Sequence, residues 1–289
     1  MNRPDFQQTL RSLATEPLLQ RVTASLPEAA LAEIASDFAE SDPYREAGFL
    51  QSALAYTGTS SSVNSVYLHQ LWCAWREARW SCGALNGKPI SLSITGQEWF
   101  EETAGHPTAV LMPMTLGLSD ALAVLQQVSN SRPFVVYGEG MQESARPGSM
   151  AGLPFAGEGQ TAVRKIRTVL AQNGLFCTYP DFVYSGHSTL PVRLFGISRP
   201  MSAGYVALIA RPGTLVLPAI VLRDQDTFAL HFHEPFQVPA CPNAGWRSLF
   251  RQQLAEQCAQ QLEALIRMDP AQWLLLNTLT FDSPQMGGH

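Results

Sequence analysis

The chain has 289 residues, 46% of them hydrophobic and 15% charged, with a formal net charge of −5. That composition supplies core enough for one large α/β domain with a helical preface. An acidic chain without basic runs excludes electrostatic recruitment to nucleic acid or to an anionic membrane surface.

The opening "MNRPDFQQTLRSLATEP" has no apolar run of the signal-peptide kind. The longest apolar stretches, such as "GTLVLPAIVL" from Gly213, are about half the ~20 residues that span a bilayer. A cytoplasmic protein without an integral membrane segment is therefore expected. Residues 1–84 read as an N-terminal helical segment and residues 85–289 as an α/β domain. In "SLPEAALAEIASDFAE", Ser25 and Glu28 have capping-box spacing and Pro27 falls in the first turn. Between Val63 and Ala78 the apolar positions Val66, Tyr67, Leu71, Ala74 and Trp75 recur in steps of three and four, the period of one helical face. Such a stripe packs against a core, and its Trp and Tyr are read as core groups rather than as rings that stack on a cofactor.

From residue 89 short β-rich runs alternate with helical stretches. "ISLSI" predicts a strand, "GQEWFEETA" a short helix and "TAVLMPM" a strand apolar on both faces. "LSDALAVLQQVSN" predicts a helix that starts near Thr115 or Ser119, and "RPFVVYG" the next strand. The stretch Gly138 to Gly159, "GEGMQESARPGSMAGLPFAGEG", is a long Gly/Ser/Pro-rich loop of a kind that is usually functional. Its GxG lacks a Walker lysine and a GxGxxG fingerprint, so no nucleotide or other cofactor is expected. "GQTAVRKIRTVLAQNG" predicts a helix stopped at Gly174. "LFCTYP" and "LPVRLFG" read as strands, and "MSAGYVALIA" as a helix. "TLVLPAIVL" and "FALHFH" read as strands joined by "RDQD", and a long helix runs from about Trp246 to Arg267. Alternating strands and helices predict a mixed, largely parallel central sheet flanked by helices. The five cysteines have no CxxC pair and read as reduced thiols, and the histidines give no zinc site.

The order of "RKIRTVLAQNGLF", "YPDF", "LPVRLFG", "SAGYVALIA", "GTLVLPAIVLRDQDTFALHFHEPFQV" and "ALIRMDPAQWLLL" resembles the lysophospholipid acyltransferase superfamily, in particular its lipid A biosynthesis branch. The resemblance covers roughly residues 85–281. It implies a mixed sheet with flanking helices and transfer of an acyl group from an acyl-carrier-protein or coenzyme A thioester. The family's His-x4-Asp/Glu motif falls on "TLGLSD", so Thr115 stands at the histidine position and Asp120 at the acid. Asn277 and Leu279 stand where the family has a terminal His and Arg, and the family's N-terminal membrane helix has no counterpart.

In the family the histidine is a general base that removes a proton from an acceptor hydroxyl, help worth roughly 10²–10⁴-fold in rate. Threonine has no basic atom at neutral pH. A neutral amine attacks a thioester without prior deprotonation. Thr115 therefore points to a small amine acceptor in biosynthesis of a specialised metabolite, or to a fold kept for binding without catalysis. Two readings stand for Asp120, a site acid and an acid favoured by the helix dipole. Asp181 in "YPDF" sits at a strand's carboxyl end, where α/β sheets bind ligands, and reads equally as a turn former. His187 in "SGHSTL" is a replacement base or a solvated loop residue. Gly117, Arg164, Arg193 and Phe195 complete the substrate contacts that the resemblance implies, Arg164 lying with Lys165 and Arg167 on a helix that otherwise reads as a solvated face. A hydrolase using Cys177 is a third class. No G-x-S-x-G elbow supports a serine version, and Cys177 inside "LFCTYP" reads as core.

Overall fold

The computed structural model describes residues 10, 16–41, 46–59, 61–85, 88, 90–129, 132–137, 159–183, 188–224 and 227–279. The described N-terminal part includes the helices α1 (Pro17–Ser25), α2 (Ala29–Ser41), α3 (Glu46–Thr57) and α4 (Val63–Ser81). The Ser62 side chain caps α4 by accepting from Ser65 N at 3.2 Å. Helices α1, α2 and α3 pack against α4. The buried residues of α4 run around much of its circumference and include His69, Gln70 and Cys73 as well as the apolar stripe. A helix buried on more than one side is a core element rather than a surface layer.

The capping box expected at Ser25 and Glu28 does not form. Ser25 lies in the last turn of α1, and its hydroxyl donates to Val22 O at 2.7 Å. Glu28 instead accepts from Trp72 Nε1 and from the Arg223 guanidinium, both at 2.9 Å. The Arg223 guanidinium also lies over the Trp72 ring, 4.7 Å from its centroid. These contacts tie the N-terminal helices to the sheet.

The sheet is built from β1 (Leu92–Thr95), β2 (Thr108–Leu111), β3 (Phe134–Val136), β4 (Leu175–Thr178), β7 (Leu215–Asp224), β8 (Thr227–Phe232) and β9 (Phe236–Gln237). Its order is β1-β8-β7-β2-β4-β3, with β9 on β7. The pairs β1–β8, β7–β2, β2–β4 and β4–β3 are parallel, and β7 pairs antiparallel with both β8 and β9. This is the mixed, mostly parallel α/β sheet that the sequence predicts. Between these strands lie α5 (Gln97–Glu102), α6 (Leu118–Val128), α7 (Gly159–Ala171) and α8 (Ala203–Ile209), and α9 (Arg247–Ile266) follows β9.

The strand period of two sorts the core onto both faces. Ala109, Leu111, Val135, Phe176 and Val216 join a cluster with Ala162, Ile166 and Leu170 of α7, Tyr205 and Val206 of α8, and Leu254 and Cys258 of α9. Val110, Met112, Val136, Cys177, Leu217 and Val221 face Trp72 and Trp75 of α4 and Val124 of α6. A separate ribbon pairs β5 (Thr189–Leu194) with β6 (Ile197–Ser202). Phe195 and Gly196 form its two-residue turn with φ of 52° and 75°, the left-handed pair that a type I′ turn requires. The "LFG" stretch is therefore a hairpin tip. A phenylalanine is strained there. Its ring is 4% exposed and packs 6.1 Å from the Trp273 ring, a burial that offsets the strain. The helix expected over "MSAGYVALIA" is shorter at its start. Met201 and Ser202 end β6, and Ser202 caps α8 by accepting from Tyr205 N at 3.2 Å.

Candidate functional site

Three features meet near the carboxyl ends of β2, β3 and β4: the turn after β2, Asp181 after β4, and a cleft between α7 and α8.

Strand β2 ends at Leu111. Pro113 cannot donate to a sheet ladder, and Thr115 N folds back onto Pro113 O at 2.9 Å. Thr115 is 2% exposed. Its hydroxyl donates to Val221 O at 2.7 Å, and its carbonyl accepts from His69 Nε2 at 2.6 Å. Met114 is fixed on both sides, its N–H donating to Asp181 Oδ2 at 3.1 Å and its carbonyl accepting from Leu274 N at 2.9 Å. The Tyr179 hydroxyl reaches Leu116 O at 3.4 Å. At Gly117 an added Cβ would lie 2.4 Å from Glu77 Oε1, so the close approach of that carboxylate requires glycine. Glu77 accepts from Ser119 N at 2.8 Å and from Ser119 Oγ at 2.7 Å. A protein carboxylate thus occupies the positive end of α6, where a substrate anion would otherwise bind.

Asp120 is 1% exposed. Arg76 grips both of its oxygens, Nε to Oδ2 at 2.9 Å and Nη2 to Oδ1 at 2.5 Å, and Trp80 Nε1 adds a bond to Oδ1 at 2.7 Å. His69, Cys73, Arg76, Glu77 and Trp80 all come from α4, which fills the space around the turn. His69 brings an imidazole to the turn, but a carbonyl only accepts, so the bond to Thr115 O puts the proton on Nε2. Burial lowers the His69 pKa from 6.5 to about 4 and keeps the ring neutral. Cys73 Sγ is 3.5 Å from the same nitrogen, and burial pushes its thiol pKa up.

Asp181 lies in the turn after β4, where Phe182 N bonds Tyr179 O at 3.2 Å. It is 7% exposed. Oδ2 accepts from Met114 N at 3.1 Å and from Trp273 Nε1 at 2.9 Å. Oδ1 is buried with no hydrogen-bond partner among the described residues. Burial raises the Asp181 pKa from 3.8 to about 6, against the opposing effects of the Trp273 and Met114 bonds, of its own backbone N–H and of the Arg199 charge. Arg199 lies over the Trp273 ring and donates to Thr278 O. A carboxylate with an unused oxygen and a pKa near 6 is suited to accept a proton at neutral pH.

The cleft has a volume of about 330 Å³. Ala162, Val163 and Ile166 of α7, Phe176 of β4, and Tyr205, Ala207 and Leu208 of α8 give it apolar walls, and Thr178, Ser188 and Ser202 add hydroxyls. Pro180 O accepts from Ser202 N at 3.0 Å, so the residue before Asp181 is bonded to the cleft wall.

The remaining expected residues are spread out. Arg164 is exposed on α7. Arg193 is exposed on β5, and its backbone N–H donates to Glu256 Oε2 at 3.2 Å. Phe195 donates its backbone N–H to Glu263 Oε2 at 2.6 Å. His187 lies outside the described residues. Cys177 is 1% exposed, and burial pushes its thiol up to about 12, far from the thiolate a nucleophile needs. Sequence reasoning missed His69, Arg76, Glu77, Trp80, Trp273 and the cleft. A polar series on α4 with the i, i+4, i+7, i+8, i+11 spacing of one helical face was the available signal.

The family model described as bacterial lipid A biosynthesis acyltransferase matches residues 153–279. This bears out the resemblance to that branch and supports an acyltransferase function in general. The match spans α7, Asp181, the hairpin tip and Trp273, and it begins after Asp120, so the Thr115–Asp120 turn lies outside it. No curated protein matches the chain. Among the described residues no helix is long and apolar enough to cross a membrane.

Proposed function

We propose that this chain, similar over residues 153–279 to bacterial lipid A biosynthesis acyltransferases, moves an acyl or aminoacyl group from a carrier-protein or coenzyme A thioester to a small amine acceptor. The reaction centre is assigned to Asp181, whose neighbour Pro180 is bonded to the cleft residue Ser202, rather than to the turn from Thr115 to Asp120. The observation that carries this reading is the buried Oδ1 of Asp181, unpartnered among the described residues, on a carboxyl whose pKa is about 6.

The amine nitrogen attacks the thioester carbonyl carbon and forms the C–N bond. The tetrahedral intermediate collapses, the C–S bond breaks and the thiolate leaves. The proton lost by the ammonium nitrogen goes to Asp181 Oδ1 and from there to solvent or the thiolate. Thr115 cannot take that proton, because its oxygen is not basic and its hydroxyl is bonded to Val221 O.

The reading is tested by incubating the protein with acyl- and aminoacyl-carrier thioesters and a panel of amines, with amide product followed by mass spectrometry. Product is expected from the wild type, falling by roughly 10²–10⁴-fold in Asp181→Asn. The wild-type rate is expected to decline as the pH drops through about 6, where Asp181 becomes protonated. Absence of product across the panel, or an unchanged rate in Asp181→Asn, contradicts it.

One observation favours a second reading, a binding module that keeps the fold without turnover. Asp120 is fully engaged by Arg76 and Trp80, and α4 closes the turn where the family keeps its base. Tight binding of a thioester or carrier protein with no product would select this reading.

A further inference from the structure

In the order β1-β8-β7-β2-β4-β3, strand β1 has β8 on one side and, among the described residues, no strand on the other. Phe228 N donates to Ser91 O at 2.9 Å, and Leu92 is in register with Phe228. In a parallel pair this turns the backbone groups of Ser91, Ser93 and Thr95 towards β8 and those of Leu92 and Ile94 outward. The outward N–H and C=O groups of Leu92 and Ile94 have no hydrogen-bond partner among the described residues. Proteins blunt such an edge with Lys, Pro, a bulge or a covering segment. Residues 91–95, "SLSIT", contain neither Lys nor Pro, and β1 runs along β8 in unbroken register. Ile94 is 38% exposed on this edge. With Leu92, Phe100, Ala104 and Val128 it lines a hollow of about 360 Å³ between β1, α5 and α6.

The bonding pattern specifies its own partner. Ile90, one bonding position earlier, has its carbonyl taken by Gln127 Nε2 at 3.5 Å. The free bonding residues of the strand are therefore Leu92 and Ile94, with Ser93 midway between them. Under a two-fold axis perpendicular to the sheet at Ser93, Leu92 stands opposite Ile94 of a second copy, and Ile94 opposite its Leu92. Each such antiparallel pair exchanges both of its N–H···O bonds, so all four outward groups of each copy are satisfied. The four apolar side chains then lie together on one face, where aliphatic cross-strand pairs add to the bonding. A contact of this isologous kind closes after two copies and leaves no further edge at β1.

We propose that β1 is a docking edge for a second copy of this chain, paired antiparallel about a two-fold axis at Ser93. A strand this short gives an interface at the small, weak end of the range, so reversible association in the micromolar range is expected. The proposal is independent of the acyltransferase reading, and its test needs no turnover.

The sedimentation coefficient of the full chain is followed over about a hundredfold range of concentration, where a shift from monomer to dimer is expected. The Ser93 side chain is exposed, so Ser93→Glu leaves the fold intact while setting like charges directly opposite each other across the axis. It should abolish the shift with no change in circular dichroism. In Ser93→Cys the two thiols stand at an unbonded pair with Cα atoms about 4.5 Å apart, within the span of a disulfide. That variant should form a cross-linked dimer under mild oxidation. Thr95→Cys should not, because residue 95 faces residue 91 of the second copy. Cys82 is exposed, so the wild type is the blank for both. A wild type that stays monomeric, a dimer that survives Ser93→Glu, or cross-linking as efficient in Thr95→Cys as in Ser93→Cys overturns the proposal.

Discussion

Thr115, which the sequence resemblance sets at the position of the lipid A branch's base, has its side chain committed elsewhere. The hydroxyl satisfies Val221 O, and the carbonyl is held by His69. Restoring histidine there is not expected to supply a working base. Thr115→His forces a larger ring into a site 2% exposed and is expected to cost about 1–3 kcal/mol in urea unfolding, with no gain in amide product. A rise in product would show that the turn opens to substrate. Asp120 is likewise engaged, by Arg76 and Trp80. Arg76→Ala leaves a carboxylate that is 1% exposed without its cation, and a loss of about 3–5 kcal/mol is expected. A loss below 1 kcal/mol would mean that the pair is not holding the turn. Neither role was readable locally, because the partners of Asp120 are Arg76 and Trp80, 44 and 40 residues away.

At the scale of elements, α4 supplies the side chains that bond the turn after β2. Its apolar stripe was legible from the steps of three and four between Val63 and Ala78. Its second face was not, since His69, Arg76 and Glu77 look like an ordinary solvated series until the turn after β2 is packed against them. The strands were legible because each is a short apolar or alternating run bounded by Gly, Pro or polar residues, and the β7–β8 hairpin because "RDQD" separates two such runs. The parallel pairing of β1 with β8 was not, because its partners are far apart in sequence and no local pattern specifies them. Ser25 and Glu28 show the opposite failure. Their spacing fits a capping box, yet long-range bonds from Trp72 and Arg223, 44 and 195 residues from Glu28, take that carboxylate.

For the whole molecule, two buried groups set opposing pH dependences. His69 has its pKa lowered to about 4, so its neutral form stabilises the fold fully above pH 6.5, and that contribution is lost as the pH falls towards 4. Asp181 has its pKa raised to about 6, so stability is greatest with it protonated, below about 3.8, and is lost as the pH rises through 6. Between pH 4 and 6 the two largely cancel. In His69→Gln the acid-side loss disappears, and its stability relative to wild type should rise by up to roughly 3 kcal/mol between pH 6.5 and 4, measured by urea unfolding across that range. A parallel pH profile in both proteins would contradict the burial of a neutral His69. These groups lie on opposite sides of Met114 and Thr115, one bonding each residue, so the turn is held between α4 and the segment after β4. The proposed reaction centre, Asp181, lies on the β4 side. The most direct test is amide formation from a carrier thioester by Asp181→Asn and Thr115→His, each compared with wild type at neutral pH. Loss of roughly 10²–10⁴-fold in Asp181→Asn with no gain in Thr115→His is the expected result. An undiminished Asp181→Asn, or a Thr115→His variant faster than wild type, would contradict it.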